Sequence, residues 1–191
     1  MENIVLRVAR SADAAAIANI FAHYVEHTTI SFHDTPPTLA SWTGQIEQHG
    51  ARYPWIVAVD ASEVVGFAYA TEHLPRAAYR WSANTTIYLR DGLQRRGVGR
   101  TLYQGLLGSL RGLGIANAYA GITLPNAPSE GLHRAVGFTL VGIYEAVGFK
   151  HGAWRDVAWY RNRLASMDAP AEPRAFQDAS EVELARWLSP T

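Results

Sequence analysis

The chain has 191 residues, 48% of them hydrophobic and 18% charged, with 17 basic residues balanced by 17 acidic ones. That is enough apolar content for one packed domain and argues against disorder, while the even balance removes any long-range field for nucleic acid or an anionic membrane surface. Cysteine is absent, which excludes thiol catalysis, disulfides and cysteine-ligated metal sites.

Lys150 is the single lysine, so the basic side chains are almost all arginines suited to forked contacts with phosphate or carboxylate. Met1 to Leu6 shows no basic stretch leading into a long apolar run, and no uninterrupted apolar segment approaches the roughly 18 residues of a membrane span. A soluble, cytoplasmic protein is expected. The histidines and acids lack a ligand spacing such as H-E-x-x-H, so no metal is expected.

In chain order, Ile4 to Ala9 reads as a short strand, and Ser11 or Asp13 opens a helix on which Ile17, Ile20, Phe21, Tyr24 and Val25 recur at helical spacing. Thr28 to Pro37 is turn-rich, yet Ile30 and Phe32 make it too apolar for a purely solvated loop. Thr38 caps a second helix ending near Gly50. Trp55 to Asp60 and Val64 to Glu72 read as antiparallel strands joined by Ala61-Ser62-Glu63, and the loop His73 to Arg80 leads to a strand from Asn84 to Arg90.

Ile87 to Leu113 then passes from a strand through a polar loop to a helix with Val98, Leu102, Leu106, Leu110 and Leu113 on one side. The loop Gln94-Arg95-Arg96-Gly97-Val98-Gly99 places glycines where backbone must approach something closely, and the next helix aims its unpaired N–H groups at the same spot. A pyrophosphate suits that place. The loop is neither G-x-x-x-x-G-K-[ST] nor a dinucleotide fingerprint, since the third glycine and the downstream acid are missing.

Ala116 to Ile122 is a further strand, and Leu124-Pro125-Asn126 introduces a helix from about Ala127 to Val136, closed by Gly137. Phe138 to Ala146 and Asp156 to Leu164 read as the last strands, flanking a loop from Val147 to Arg155. From Ala165 the composition shifts to Pro, Ala and charge, with a short helix expected over Ser180 to Leu188. Residues 1–164 are thus read as one domain and 165–191 as a tail, an appendage or a strap between two copies. The element order fits an α/β fold with a central mixed sheet flanked by helices.

The segment Q-R-R-G-V-G resembles the Q/R-x-x-G-x-G/A loop of the GNAT N-acetyltransferase superfamily. Arg52 to Ala58, Ala78 to Ala83, Leu124 to Ser129 and above all Gly148 to Val157 (G-F-K-H-G-A-W-R-D-V) are similar to the phosphinothricin N-acetyltransferase family. The resemblance implies a GNAT fold, acetyl-CoA as co-substrate, and transfer of its acetyl group to the amino group of phosphinothricin, methionine sulfoximine, methionine sulfone or another amino acid. It also implies a homodimer.

By the same resemblance the cofactor is held by Tyr88, Leu89, Gln94, Arg95, Arg96, Gly97, Val98, Gly99, Arg100 and Thr101, with Asn126 and Ser129 near the pantetheine arm. The acceptor falls to Phe32, Arg76, Tyr79 and Thr86. The Leu89 amide would meet the oxyanion, and His133 would exchange a proton as acid or base. Two departures stand out. Asn84 occupies the place of the family's glutamate base, and Leu74 the place of a basic residue two before Arg76. The first raises the alternative of an acetyl-CoA-binding protein with weak or lost catalysis; the second weakens the case for a doubly anionic acceptor.

Overall fold

The computed structural model describes residues 4–166 and 168–189. Seven strands form one sheet in the order β1-β2-β3-β4-β5-β7-β6. They are β1 (Val5–Val8), β2 (Trp55–Asp60), β3 (Glu63–Glu72), β4 (Ser82–Leu89), β5 (Asn117–Thr123), β6 (Thr139–Lys150) and β7 (Ala153–Arg163). The helices are α1 (Ala14–His27), α2 (Leu39–Gly50), α3 (Val98–Gly112), α4 (Ala127–Ala135) and α5 (Glu181–Leu188). No helix among the described residues is long and apolar enough to cross a membrane.

Strand alternation sorts side chains to two faces, and both are covered. Ile56, Ala58, Ala68, Ala70, Ala83, Ala118 and Ala120 pack against Leu102, Leu106 and Leu110 of α3. Trp55, Val57 and Phe67 face the other way, onto Ile17, Phe21 and Val25 of α1 and Trp42 and Ile46 of α2. Thr38 caps α2 by accepting from Ser41 N. Ahead of α1, by contrast, Asp13 is buried in a short 3-10 turn, gripped by both guanidinium nitrogens of Arg7 at 2.6 and 2.7 Å.

All strand pairs are antiparallel except β4 with β5, and that pair is short. It runs through Ser82↔Asn117, Ala83↔Ala118 and Asn84↔Tyr119, then stops, although both strands continue. β4 stays with β3 as far as Leu89, while β5 stays with β7 through Thr123. The hydroxyl of Thr85 donates to Tyr119 O at 3.0 Å where the ladder ends. A wedge therefore opens between residues 85–89 and 120–123.

Two expectations are corrected. The segment read as a loop from Val147 to Arg155 is a hairpin: β6 runs on to Lys150, and His151 and Gly152, both at positive φ, turn the chain into β7. The register breaks between Tyr144 and Gly148, with Ala146 at φ 47° and its N–H donating to Asp156 Oδ1. That irregularity hides the strand alternation on which the sequence reading relies.

The tail is an integral part of the packing and not an appendage. Phe176 and Trp187 are buried with Leu113, and the Trp187 ring lies where a Cβ at Gly112 would stand. Gly108 likewise faces the Trp187 backbone. This glycine row lets α5 lie close on α3.

Candidate functional site

The wedge exposes backbone. Arg90 N–H donates to Val65 O at 2.8 Å, so the neighbouring Leu89↔Gly66 pair is of the kind that exchanges no hydrogen bonds. By alternation the N–H groups of Ile87 and Leu89 point away from β3 and into the opening. The Leu89 carbonyl is held by Tyr24 OH at 2.6 Å, which fixes the end of β4. Tyr88 faces the opposite layer, its ring against Phe21, Tyr24 and Phe67, and burial raises its phenol above the ordinary range. Its side chain is thus core.

At the mouth of the wedge stands the N-terminus of α3. Gly97 takes the N-cap position at φ 84° and no side chain caps the helix, leaving the first-turn N–H groups and the positive end of the helix dipole directed outwards. A Cβ built at Gly97 would meet nothing within 4 Å, so this glycine is needed for its left-handed backbone. Gly99 differs: a Cβ there would lie 3.0 Å from Leu132 of α4, so it serves helix packing.

Arg95, Arg96 and Arg100 are exposed around this point. Gln94 donates to Asp91 at 3.2 Å, and the Thr101 hydroxyl and amide both return to Gly97 O.

Asn126 and Ser129 begin α4, where Asn126 Oδ1 accepts from Ser129 N at 3.2 Å. His133, one turn later, is only 3% exposed. Its Nδ1 donates to Ser129 O at 2.7 Å, so Nε2 is the acceptor for Tyr103 OH at 2.6 Å. Burial pushes the imidazole below its ordinary pKa, against the smaller opposing effect of the Ser129 carbonyl. Both nitrogens are thus engaged inside the protein, where the sequence led to the expectation of a proton exchanged with the reacting groups.

Asn84 sits at the last paired position of the wedge. Its Nδ2 donates to Glu72 O at 3.3 Å, and its Oδ1 lies 2.8 Å from His73 Nδ1. The His73 ring stacks on Tyr119, with centroids 4.3 Å apart, and meets Tyr79 and Trp159 edge-on. Tyr79 thus reaches this corner through the His73 ring, together with Tyr119 and Trp159, and the sequence reading singled out none of His73, Tyr119 and Trp159. Thr86 lies two residues further along β4 on the same face. Arg76 is exposed at the start of the 3-10 turn Ala77–Tyr79. Trp81 is occupied elsewhere, donating to Ala171 O and carrying the Arg80 guanidinium on its ring.

Phe32, 39% exposed, comes from the segment between α1 and α2 and lies over Gly148 of β6, where a Cβ would clash with its ring. Lys150 anchors that segment. It is 7% exposed, and its ammonium donates to the carbonyls of Val25, Ser31 and His33 at 2.7, 2.7 and 3.0 Å. Desolvation lowers its pKa. Among the described residues no three His, Asp or Glu side chains are grouped as metal ligands.

Comparison with known proteins shows the family. Residues 6–159 match the family model described as an acetyltransferase (GNAT) domain. The chain is 39% identical over 177 residues to a phosphinothricin N-acetyltransferase of Streptomyces viridochromogenes, covering 93% of this chain and 95% of that one. It is 34% identical to an L-methionine sulfoximine/L-methionine sulfone acetyltransferase of Pseudomonas paraeruginosa, covering 83% and 94%. Among solved structures, a phosphinothricin acetyltransferase from Sinorhizobium meliloti in complex with acetyl-CoA superposes with a TM-score of 0.85 at 35% identity, covering 88% of this chain and 94% of that one.

Proposed function

The chain belongs to the GNAT acetyltransferase family, and on that premise we propose that it transfers the acetyl group of acetyl-CoA to the amino group of a small amino acid or a toxic analogue of one. The observation that carries this reading is the wedge between β4 and β5 with the uncapped N-terminus of α3 at its mouth.

The residues present fit acetyl-CoA. The amides of Val98, Gly99 and Arg100, the loop from Gln94 to Gly97 and the exposed Arg95, Arg96 and Arg100 suit a pyrophosphate; Thr101 closes the first turn behind them. The unpaired amides of β4 suit a pantetheine arm, and Asn126 and Ser129 shape the start of α4 beside it. Acetyl-CoA brings an activated acyl group. The Leu89 N–H is the donor for the oxyanion that forms when the amine attacks. His133 acts here as a brace between α3 and α4, not as a proton carrier.

Phe32, Tyr79 and Thr86 enclose the acceptor, and Arg76 receives its carboxylate. With Leu74 beside that arginine in place of a second cation, a singly anionic amino acid fits better than doubly anionic phosphinothricin. The protein works as a homodimer in the cytoplasm. The exposed Leu140, Val141, Ile143, Tyr144, Val147 and Phe149 of β6, the sheet-edge strand, support a second copy there.

The test is thiol release from acetyl-CoA against phosphinothricin, methionine sulfoximine, methionine sulfone and the common amino acids side by side. Turnover with at least one small amino acid is expected. Coenzyme binding without turnover on any of them would instead favour a binding protein, the reading that Asn84 in place of a glutamate suggests.

A further inference from the structure

We propose that His73, oriented by Asn84, is the general base that deprotonates the acceptor amine. This rests on the acetyltransferase reading above and names the group that reading leaves unassigned, since an asparagine amide takes up no proton near neutral pH.

The hydrogen bonds determine the tautomer. Asn84 Nδ2 donates to the Glu72 carbonyl, which can only accept, and this fixes which end of the amide is oxygen. Asn84 Oδ1 then accepts, so the contact with His73 Nδ1 is an Nδ1–H donation at 2.8 Å. The proton on the neutral ring is thereby on Nδ1, and the lone pair is on Nε2. Nε2 has no hydrogen-bond partner among the described residues, whereas both nitrogens of His133 are used.

Placement agrees with the role. Asn84 occupies the apex of the wedge, and the His73 ring is held flat on Tyr119, with Tyr79 and Trp159 at its edges. These aromatic groups and Asn84 are what packs against the ring; Glu72, its chain neighbour, is exposed. His73 is half-buried, and its unpaired Nε2 is not among the enclosed polar atoms, which leaves it open to the acceptor or to one intervening water. An imidazole oriented by a side-chain amide is an arrangement suited to proton abstraction.

The step balances. The acceptor ammonium gives one proton to His73 Nε2, and the freed nitrogen pair forms a C–N bond to the thioester carbon while the carbonyl π pair moves to oxygen. Return of that pair breaks the C–S bond. The second nitrogen proton leaves through solvent as the thiolate takes one up, and His73 releases its proton to solvent.

The test combines kinetics with nitrogen NMR. His73→Phe keeps the ring on Tyr119 but removes the base, and kcat/KM for the amine at pH 7 is expected to fall by about 10²–10⁴-fold with acetyl-CoA affinity unchanged. The deficit shrinks at higher pH, where the amine loses its own proton. Asn84→Ala lowers kcat and mixes the His73 tautomers, and Asn84→Asp, which keeps the acceptor oxygen, recovers most of the rate. Spectra of ¹⁵N-histidine-labelled protein show His73 as the Nδ1–H form in the wild type. A His73→Phe rate within about threefold of wild type, against the loss expected for a general base, overturns the proposal, and so does an Nε2–H tautomer. A wild-type protein that binds acetyl-CoA yet acetylates no amine overturns the acetyltransferase reading along with it, whereas the first two results overturn this inference alone.

Discussion

Gly148 and Phe32 share one small volume: a Cβ on the glycine would lie 2.6 Å from the Phe32 Cζ and closer still to its Cε2. The segment between α1 and α2 thus rests on a bare stretch of β6. Gly148→Ala must displace the Phe32 ring. The expected result is a several-fold rise in KM for the amine with acetyl-CoA binding unchanged, measured by initial rates and coenzyme titration. An unchanged KM would separate Phe32 from the acceptor.

Lys150 ties the same segment to α1 from below, through the carbonyls of Ser31 and His33 and that of Val25 in the helix. Lys150→Met keeps the length of the stem and leaves those carbonyls unpaired. Hydrogen bonds to charged groups contribute about 1.5–3 kcal/mol each, and partial rehydration brings the expected loss to roughly 3 kcal/mol. Urea denaturation reads it directly. A loss confined to amine KM, with stability intact, would make the contact local to the acceptor site.

The neutral, buried His133 gives stability a pH dependence. Its pKa is lowered in the fold from 6.5, so as pH falls below that value the unfolded chain takes up a proton that the folded chain refuses. The unfolded state then binds more protons, and stability falls with decreasing pH. Thermal midpoints between pH 5 and 7.5 are expected to show this slope, which flattens in His133→Leu although that variant is less stable overall. An equal slope in the variant would assign it elsewhere.

Trp187 seals the tail onto α3 above Gly112. Removing a buried tryptophan side chain costs about 3–5 kcal/mol, and Trp187→Ala is expected near the lower end because the site lies at the rim. Calorimetry measures the loss. A change below about 1 kcal/mol, well short of that range, would mean that α5 adds little to the domain.

Much of this was legible in the chain. Helical spacing of apolar residues gave α1 and α3, β-rich runs and turn residues gave the antiparallel pair β2–β3, and the glycine loop ahead of α3 marked the helix N-terminus that now heads the wedge. The tip of the β6–β7 hairpin, from Val147 to Arg155, was not legible, because a register break of several residues interrupts its alternation. Nor was His73. It lies eleven positions from Asn84 in sequence, and only the register of β3 on β4, which sets Thr71 opposite Asn84 and Glu72 opposite Ala83, brings the two together. The engagement of His133 was equally hidden, since its partner Tyr103 is thirty residues away on another helix. The tail's role was not read either: Gly105, Gly108 and Gly112 recur at helical spacing, but they mark close helix approach only once α5 is known to lie on them.

The most direct test of the central claim, that coenzyme enters between β4 and β5 and ends on the N-terminus of α3, is a crystal structure with acetyl-CoA bound. The pyrophosphate is expected on the amides of Val98 to Arg100, with the thioester oxygen within hydrogen-bonding distance of Leu89 N. Coenzyme bound outside the wedge, with Leu89 N–H facing solvent or protein, would contradict it.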